Sequence, residues 1–334
     1  MNKGIQQQIS EFMEEWKSDS LTVRVQTSGS TGIPKQMDVL KSKMLESAKM
    51  TCHFFGLKRN DKALLCLPLQ YIAGKMMLVR AFYAGLDIYP VEPSGHPLAD
   101  VIVDFDFAAM IPLQVYNSLQ IPEQRQRLSN IKNLIIGGGA IDEALERKLA
   151  NFPNAIYSTY GMTETLSHIA LRRISGPEAS FYYTPLPNVS ISLSDENTLI
   201  IDAPLVANEV LVTNDIAEIR PDGTFRIIGR KDNVINSGGI KIQIEEVERI
   251  LHPHIQGKFA ISSISHPKLG EAVVLLIENA TSSELRNLID QVLPRYHQPL
   301  HILAVGAIPF TGNGKPDRAA IKKLAAQVCP ASSI

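Results

Sequence analysis

Short apolar runs ending in glycine- or hydroxyl-rich loops, alternating with helical stretches, constrain this chain more than any other feature. LTVRVQ, KALLCLP, LDIYPV, FDFAAMI, KNLIIGG and AIYSTYG read as strands, and helical segments fall at 5–17, about 41–55 and about 73–84. In the first helix Ile5, Ile9, Phe12 and Trp16 share one face. Strands this apolar belong in a largely parallel sheet that helices cover on both sides. The reading is an α/β fold: a large N-terminal domain of mostly parallel sheets flanked by helices.

The texture changes near residue 188. VSISL, TLIID, EVLVT and TFRIIG are short strands separated by turn residues such as Asp222-Gly223, which adds a β-rich subdomain. After GRKDN a compact α+β segment begins. It has a helix at 243–252 with Ile244, Val247 and Leu251 on one side, strands at 257–263 and 272–277, a helix at 283–293 and a last helix from 317. The pattern divides the chain into residues 1–229 and a small α+β domain, 230–334, with the boundary near Gly229–Asp232.

Charge and cysteine usage exclude several function classes. Lys and Arg number 33 against 34 Asp and Glu, a net of -1, so no nucleic-acid surface is expected. Cys52, Cys66 and Cys329 are far apart, forming neither a metal pair nor a disulfide framework, which fits a reducing compartment. The polar, acidic start lacks a signal-peptide core. No stretch approaches the roughly 20 apolar residues that cross a bilayer. The expectation is a soluble cytoplasmic protein without a membrane span.

Four strings carry chemistry. The first, Thr27-Ser28-Gly29-Ser30-Thr31-Gly32-Ile33-Pro34-Lys35, sets hydroxyls and two glycines after a strand, with a lysine beyond. Glycines let successive N–H groups turn inward as a nest for anions, and Lys35 adds a charge suited to outer phosphates. The spacing is not that of a Walker loop. The second, Tyr157-Ser158-Thr159-Tyr160-Gly161-Met162-Thr163-Glu164-Thr165, follows an apolar strand. Tyr160 offers a flat face to a base, Thr163 a hydroxyl to a phosphate, and Glu164 a hard oxygen ligand to Mg2+. The third runs from Gly229 through Arg230, Asp232, Gly238 and Gly239 to Ile242. The fourth, Pro309 to Asp317, presents Lys315 on a glycine loop before a helix that Asp317 could cap. Each string alone also suits a plainer role: polar turn, capped helix start, hairpin, surface lysine.

Together and in this order, the four strings resemble the adenylate-forming superfamily of acyl-CoA synthetases, luciferases and peptide-synthetase adenylation domains, from Val23 to Leu324. The resemblance implies an enzyme that uses ATP, Mg2+ and coenzyme A to turn a small carboxylic acid into an acyl-adenylate and then a thioester. It implies that Thr27, Ser28, Gly29, Ser30, Thr31, Gly32 and Lys35 hold the ATP phosphates. Adenine lies against Tyr160 and Gly161, near Gly137, Gly138 and Gly139. Thr163 touches the α-phosphate and Glu164 holds Mg2+. Asp215, in Thr213-Asn214-Asp215 where the family has Thr-Gly-Asp, meets the ribose with Arg230. Asp232 is the hinge of a mobile C-terminal domain, Lys315 is the catalytic lysine of the first half-reaction, and the face at Gly238 and Gly239 serves the thiol step.

Within the superfamily, Leu67–Met77, Ile136–Ala140 and Gly161–Ala170 resemble o-succinylbenzoate-CoA ligases of menaquinone biosynthesis. Tyr71 replaces a common histidine. Tyr71, Lys75 and His168 are the substrate-side candidates, with Arg80 a further candidate to meet a dicarboxylate. The phosphate loop begins at Thr27, whereas relatives usually place a whole subdomain before it, so the resemblance implies a shortened N-terminal part. Competing readings are another aryl- or acyl-CoA ligase, a non-catalytic nucleotide-binding relative, and an adenylation module serving a separate carrier protein.

Overall fold

The computed structural model describes residues 4–26, 36–139, 141–278, 282–310 and 316–329. The chain falls into two compact units. One comprises Met1–Ser192, Ile200–Val212 and Ile219–Arg226. The other comprises Leu193–Leu199, Thr213–Glu218 and Ile227–Ile334.

The first unit begins with helix α1 (Ile5–Lys17) and an antiparallel pair, β1 (Thr22–Gln26) and β2 (Gln36–Leu40), in register Val23 to Val39. It continues through α2 (Lys41–Phe55), β3 (Lys62–Leu65), α3 (Ile72–Ala84), β4 (Asp87–Pro90), β5 (Phe107–Met110), α4 (Pro112–Leu119), α5 (Pro122–Ser129), β6 (Asn133–Ile136), α6 (Glu143–Leu149), β7 (Ala155–Gly161), β8 (His168–Arg173) and β9 (Thr184–Pro185). Among the described residues, strands β3 to β9 form a seven-stranded sheet in the order β4-β3-β5-β6-β7-β8-β9. Its first five strands run parallel, and β8 and β9 are antiparallel additions. Every residue of β5 is buried, as are Ala63–Leu65 and Leu134–Ile136, the pattern of strands covered on both faces. β8 escapes an apolarity reading because HIALRR carries a histidine and two arginines. Its Arg172 is nevertheless buried, paired with Glu146 of α6.

Helix α1 is clasped to this unit. Phe12, 2% exposed, stacks on Phe82 of α3 at 6.3 Å, and Trp16 lies 5.8 Å from each of them. Glu15 accepts a hydrogen bond from the Arg24 backbone N–H at 2.8 Å and pairs with Lys75 of α3 at 3.2 Å.

Strands β10 (Ser190–Leu193), β11 (Thr198–Asp202), β12 (Leu211–Ile219) and β13 (Phe225–Arg230) form a four-stranded sheet in that order. β12 runs well past Thr213, where the strand EVLVT ends in the sequence pattern. The second unit contains β14 (Val234–Ser237), β15 (Ile240–Gln243), α7 (Ile244–Leu251), β16 (Phe259–His266), β17 (Gly270–Glu278), α8 (Ser282–Val292), β18 (His301–Val305) and α9 (Arg318–Val328). The sheet runs β15-β14-β17-β16, with β18 parallel to β17. Alternate residues of β17 enter two different cores. Val273, Leu275 and Ile277 join Val247, Leu251 and Ile289. Ala272, Val274 and Leu276 join Leu303, Ile321 and Ala325. Glu248 grips Arg318 through two 2.7 Å contacts and accepts the Ile261 N–H at 2.9 Å. Asp317 caps α9 by accepting from the Ala320 N–H at 3.0 Å, as the sequence suggests.

Phe12→Ala is expected to weaken the docking of α1 by about 3 kcal/mol. That would speed hydrogen exchange of its amides roughly 100-fold while β5 and β6 stay protected. Unchanged α1 protection would contradict the clasp.

Candidate active site

Parallel strands deliver their loops to one edge, and ligands of open α/β sheets bind beyond the carboxyl ends of the strands. Here the ends of β5, β6 and β7 adjoin. Gly137 N–H donates to the Met110 carbonyl at 3.1 Å, and Thr159 Oγ1 donates to the Ile136 carbonyl at 3.3 Å. A side chain at Gly137 would overlap Thr159 Oγ1. Gly138 has φ +77°, a conformation glycine adopts without penalty. The structure thus sets Gly137 against Thr159, the residue before Tyr160, at the adjoining ends of β6 and β7. Tyr160 is half-buried, edge-on to Phe225 at 5.3 Å and 5.8 Å from Tyr183.

Thr163–Thr165 form one 3-10 turn in which Glu164 is exposed. Among the described residues its carboxylate has no ion-pair partner, and no group of three or more metal-ligating side chains occurs. A free carboxylate at a strand end fits Mg2+, which is commonly held by one or two carboxylates together with substrate phosphates and water.

The turn after Glu164 is held tightly. Thr165 Oγ1 accepts from the Met162 N–H at 3.0 Å and lies 2.8 Å from the Ser167 carbonyl, to which it donates. Leu166, buried between them, has φ +65° and ψ −38°, and Ser167 N–H donates to the Thr165 carbonyl at 2.7 Å. This is a γ-turn of the rare, strained kind, centred on a branched residue. The turn brings His168 opposite Gly161, with a register shift between Tyr160 and Gly161. A Cβ on Gly161 would stand 2.7 Å from His168 Cα and nearer still to the Ser167 carbonyl.

Behind this turn lies Arg80 of α3, 2% exposed. Its Nη2 donates to Ser167 Oγ at 2.7 Å and its Nη1 lies 3.7 Å from Met77 Sδ, while Nε has no partner among the described residues. Among the described residues no carboxylate meets it. Burial lowers its pKa to about 10, so it remains a cation at neutral pH. The thiol of Cys52 supplies no counter-charge, because burial raises its pKa to about 11. Cys66 is likewise pushed up, to about 12. Burial, reinforced by Arg80, holds His168 well below the usual histidine value. A buried cation among neutral groups is costly unless an anion joins it.

The other candidates are placed as follows. Lys75 is 9% exposed; its Nζ pairs with Glu15 at 3.2 Å and lies 4.9 Å over the Phe12 ring. Tyr71 stands just before α3 in extended conformation, without a side-chain cap, and its backbone forms a parallel bridge to Gln26. In the second unit Arg230 sits between two acids, 3.0 Å from Asp215 and 2.8–2.9 Å from both carboxylate oxygens of Asp232. Hydrogen bonding from Arg230 holds the Asp232 carboxyl below its usual value. Gly239 lies in the exposed turn between β14 and β15. Thr27, Ser28, Gly29, Ser30, Thr31, Gly32 and Lys35, and likewise Lys315, lie outside the described residues. Sequence reading passes over Ser167 and Thr51: nothing in the string gives Leu166 a positive φ or turns Thr51 toward His168.

The model of the family described as AMP-binding enzyme matches residues 3–215. A 2-succinylbenzoate–CoA ligase of Salmonella typhimurium is 27% identical over 344 residues, 97% of this chain and 73% of that protein. The ligase of the same name from Escherichia coli K12 is also 27% identical, over 92% of this chain and 70% of that protein. Among solved structures, an acyl-CoA synthetase (AMP-forming)/AMP-acid ligase II-like protein from Dyadobacter fermentans is 35% identical, with TM-score 0.65, over 94% of this chain and 92% of that one. A single-substitution (Arg to Lys) variant of E. coli MenE with bound OSB-AMS is 25% identical, with TM-score 0.70, over 91% of this chain and 68% of that one. Among the described residues no helix is long and apolar enough to cross a membrane.

Gly161→Ala is expected to destabilise the protein by about 2 kcal/mol through overpacking against β8, read as a lower urea midpoint. A midpoint equal to that of the parent would show that β7 and β8 tolerate separation there.

Proposed function

The chain belongs to the family of AMP-binding enzymes, and on that footing we propose that it joins 2-succinylbenzoate to coenzyme A at the expense of ATP. The observation that carries the choice of acid is Arg80, a buried guanidinium with an unpartnered Nε and no carboxylate beside it among the described residues. A dicarboxylic acid leaves one carboxylate unreacted, and that group would supply the missing counter-charge through the strong, directional bonds a guanidinium forms with carboxylate. The likeness to two 2-succinylbenzoate–CoA ligases across nearly the whole chain supports the same acid. Lys75 is the weaker candidate, since Glu15 already neutralises it.

In the first step a carboxylate oxygen attacks the α-phosphorus of ATP, the new P–O bond forms, and pyrophosphate leaves. The succinyl carboxylate is the less hindered of the two, because the ring carboxylate is flanked by the ortho acyl group. We therefore assign the first as the nucleophile and the second to Arg80. Two anions must meet for this step. Lys35 and the hydroxyls of Thr27 to Thr31, with Lys315, would offset the charge, and Mg2+ on Glu164 would neutralise the phosphates. Tyr160 and the Gly137–Gly139 loop would seat adenine, and Asp215 with Arg230 the ribose hydroxyls. In the second step the coenzyme A thiol attacks the acyl carbon, AMP leaves and the thiol proton is lost to solvent. Residues 230–334 would serve as the mobile lid, turning about Asp232 between the steps to withdraw Lys315 and present the Gly239 turn.

Lys315→Ala is expected to abolish acid-dependent pyrophosphate release while ATP still binds by calorimetry; undiminished release would remove Lys315 from the first step. With 2-succinylbenzoate as substrate, Arg80→Met should raise KM about 30-fold, the worth of roughly 2 kcal/mol of charged hydrogen bonding. Lys75→Met should change it less than about threefold. The reverse ranking would overturn the assignment of Arg80. A panel of mono- and dicarboxylic acids, assayed for CoA- and ATP-dependent AMP production, tests the acid itself. Faster turnover of an acid lacking a second carboxylate would exclude the proposed substrate.

A further inference from the structure

The protons around Arg80 can be followed one by one. A guanidinium only donates, so Ser167 Oγ accepts from Arg80 at 2.7 Å and keeps its single proton for another partner. That partner is His168 Nδ1, 3.3 Å away. The other ring nitrogen, Nε2, lies 3.2 Å from Thr51 Oγ1, whose own proton goes to the Ser47 carbonyl at 3.2 Å. Ser47, Thr51 and His168 are all buried. Each hydrogen then has one acceptor, provided His168 is neutral with its proton on Nε2. The strained turn at Leu166 supplies a second, independent sign that Ser167 is held on purpose: its backbone keeps an uncommon conformation that aims this hydroxyl between Arg80 and His168.

We propose that His168 is a positioning residue. Anchored on Thr51, it turns the Ser167 hydroxyl so that its lone pair fixes the Arg80 guanidinium for the unreacted carboxylate of the acid. The role rests on the dicarboxylate reading of the site. The two ring nitrogens of His168 face Ser167 and Thr51, so its contribution falls on acid affinity through Ser167 and Arg80. The network spans three elements: Ser47 and Thr51 on α2, Arg80 on α3, and the turn leading into β8.

The test compares 2-succinylbenzoate with 4-oxo-4-phenylbutanoate, the same acid without its ring carboxylate, in wild type, His168→Leu and His168→Asn. His168→Leu removes both ring nitrogens. His168→Asn restores an acceptor, Oδ1, close to the place of Nδ1. The leucine variant should raise the KM for 2-succinylbenzoate about tenfold with kcat within about twofold, an effect equal to one tenfold step in affinity. It should leave the KM for the monoacid unchanged, and asparagine should recover most of the loss. An equal rise for both acids would reduce His168 to a packing role, and no rise for either would remove it from the site; each overturns the proposal. Nitrogen-15 NMR of the imidazole in the intact protein at neutral pH should show a bare Nδ1 and a protonated Nε2. The opposite tautomer overturns the proposal whatever the substrate. Wild-type enzyme inert toward 2-succinylbenzoate would defeat the substrate reading instead, leaving the tautomer to decide the positioning role.

Discussion

The pairing of β5, β6 and β7 as parallel neighbours is the constraint on which the site depends. Parallel strands all end at the same edge, so loops separated by many residues in the chain emerge side by side. That is why the chain after Ile136 emerges beside the end of β7, with Gly137 packed against the side chain of Thr159. The antiparallel addition of β8 then folds the chain back against the end of β7, bringing Ser167 and His168 beside Arg80 on α3. A sheet with mixed strand directions at β5 to β7 would scatter the same residues to opposite edges.

Much of this organisation is legible in the sequence. The apolar strand runs of the first unit, the amphipathic α1, the run of short strands after residue 188 and the helix cap at Asp317 all appear in the structure close to where local chemistry places them. The exceptions share a cause, which is dependence on distant partners. β8 carries polar residues that are satisfied only after folding, Arg172 by Glu146 and His168 by Thr51. β12 passes through Asn214-Asp215, and Asp215 then meets Arg230.

The site follows the same division. The loops at the ends of β6 and β7 are visible as strings, because such strand ends need particular residues in consecutive order. The selectivity of its charges is not visible. Lys75 and Arg80 lie five positions apart on one helix and look alike in the sequence, yet Glu15 on another helix neutralises the first and not the second. Nor does a leucine advertise a positive φ: the conformation of Leu166 is imposed by Thr165, which binds the backbone on both sides of it.

The unequal surroundings of the three cysteines have a practical corollary. Cys52 and Cys66 are interred, and burial holds both as protonated thiols that react sluggishly with electrophiles. Cys329, half-exposed just beyond α9, stands apart from them. A maleimide dye or spin label would therefore attach at that single point without mutagenesis, giving spectroscopy a native reporter on the second unit.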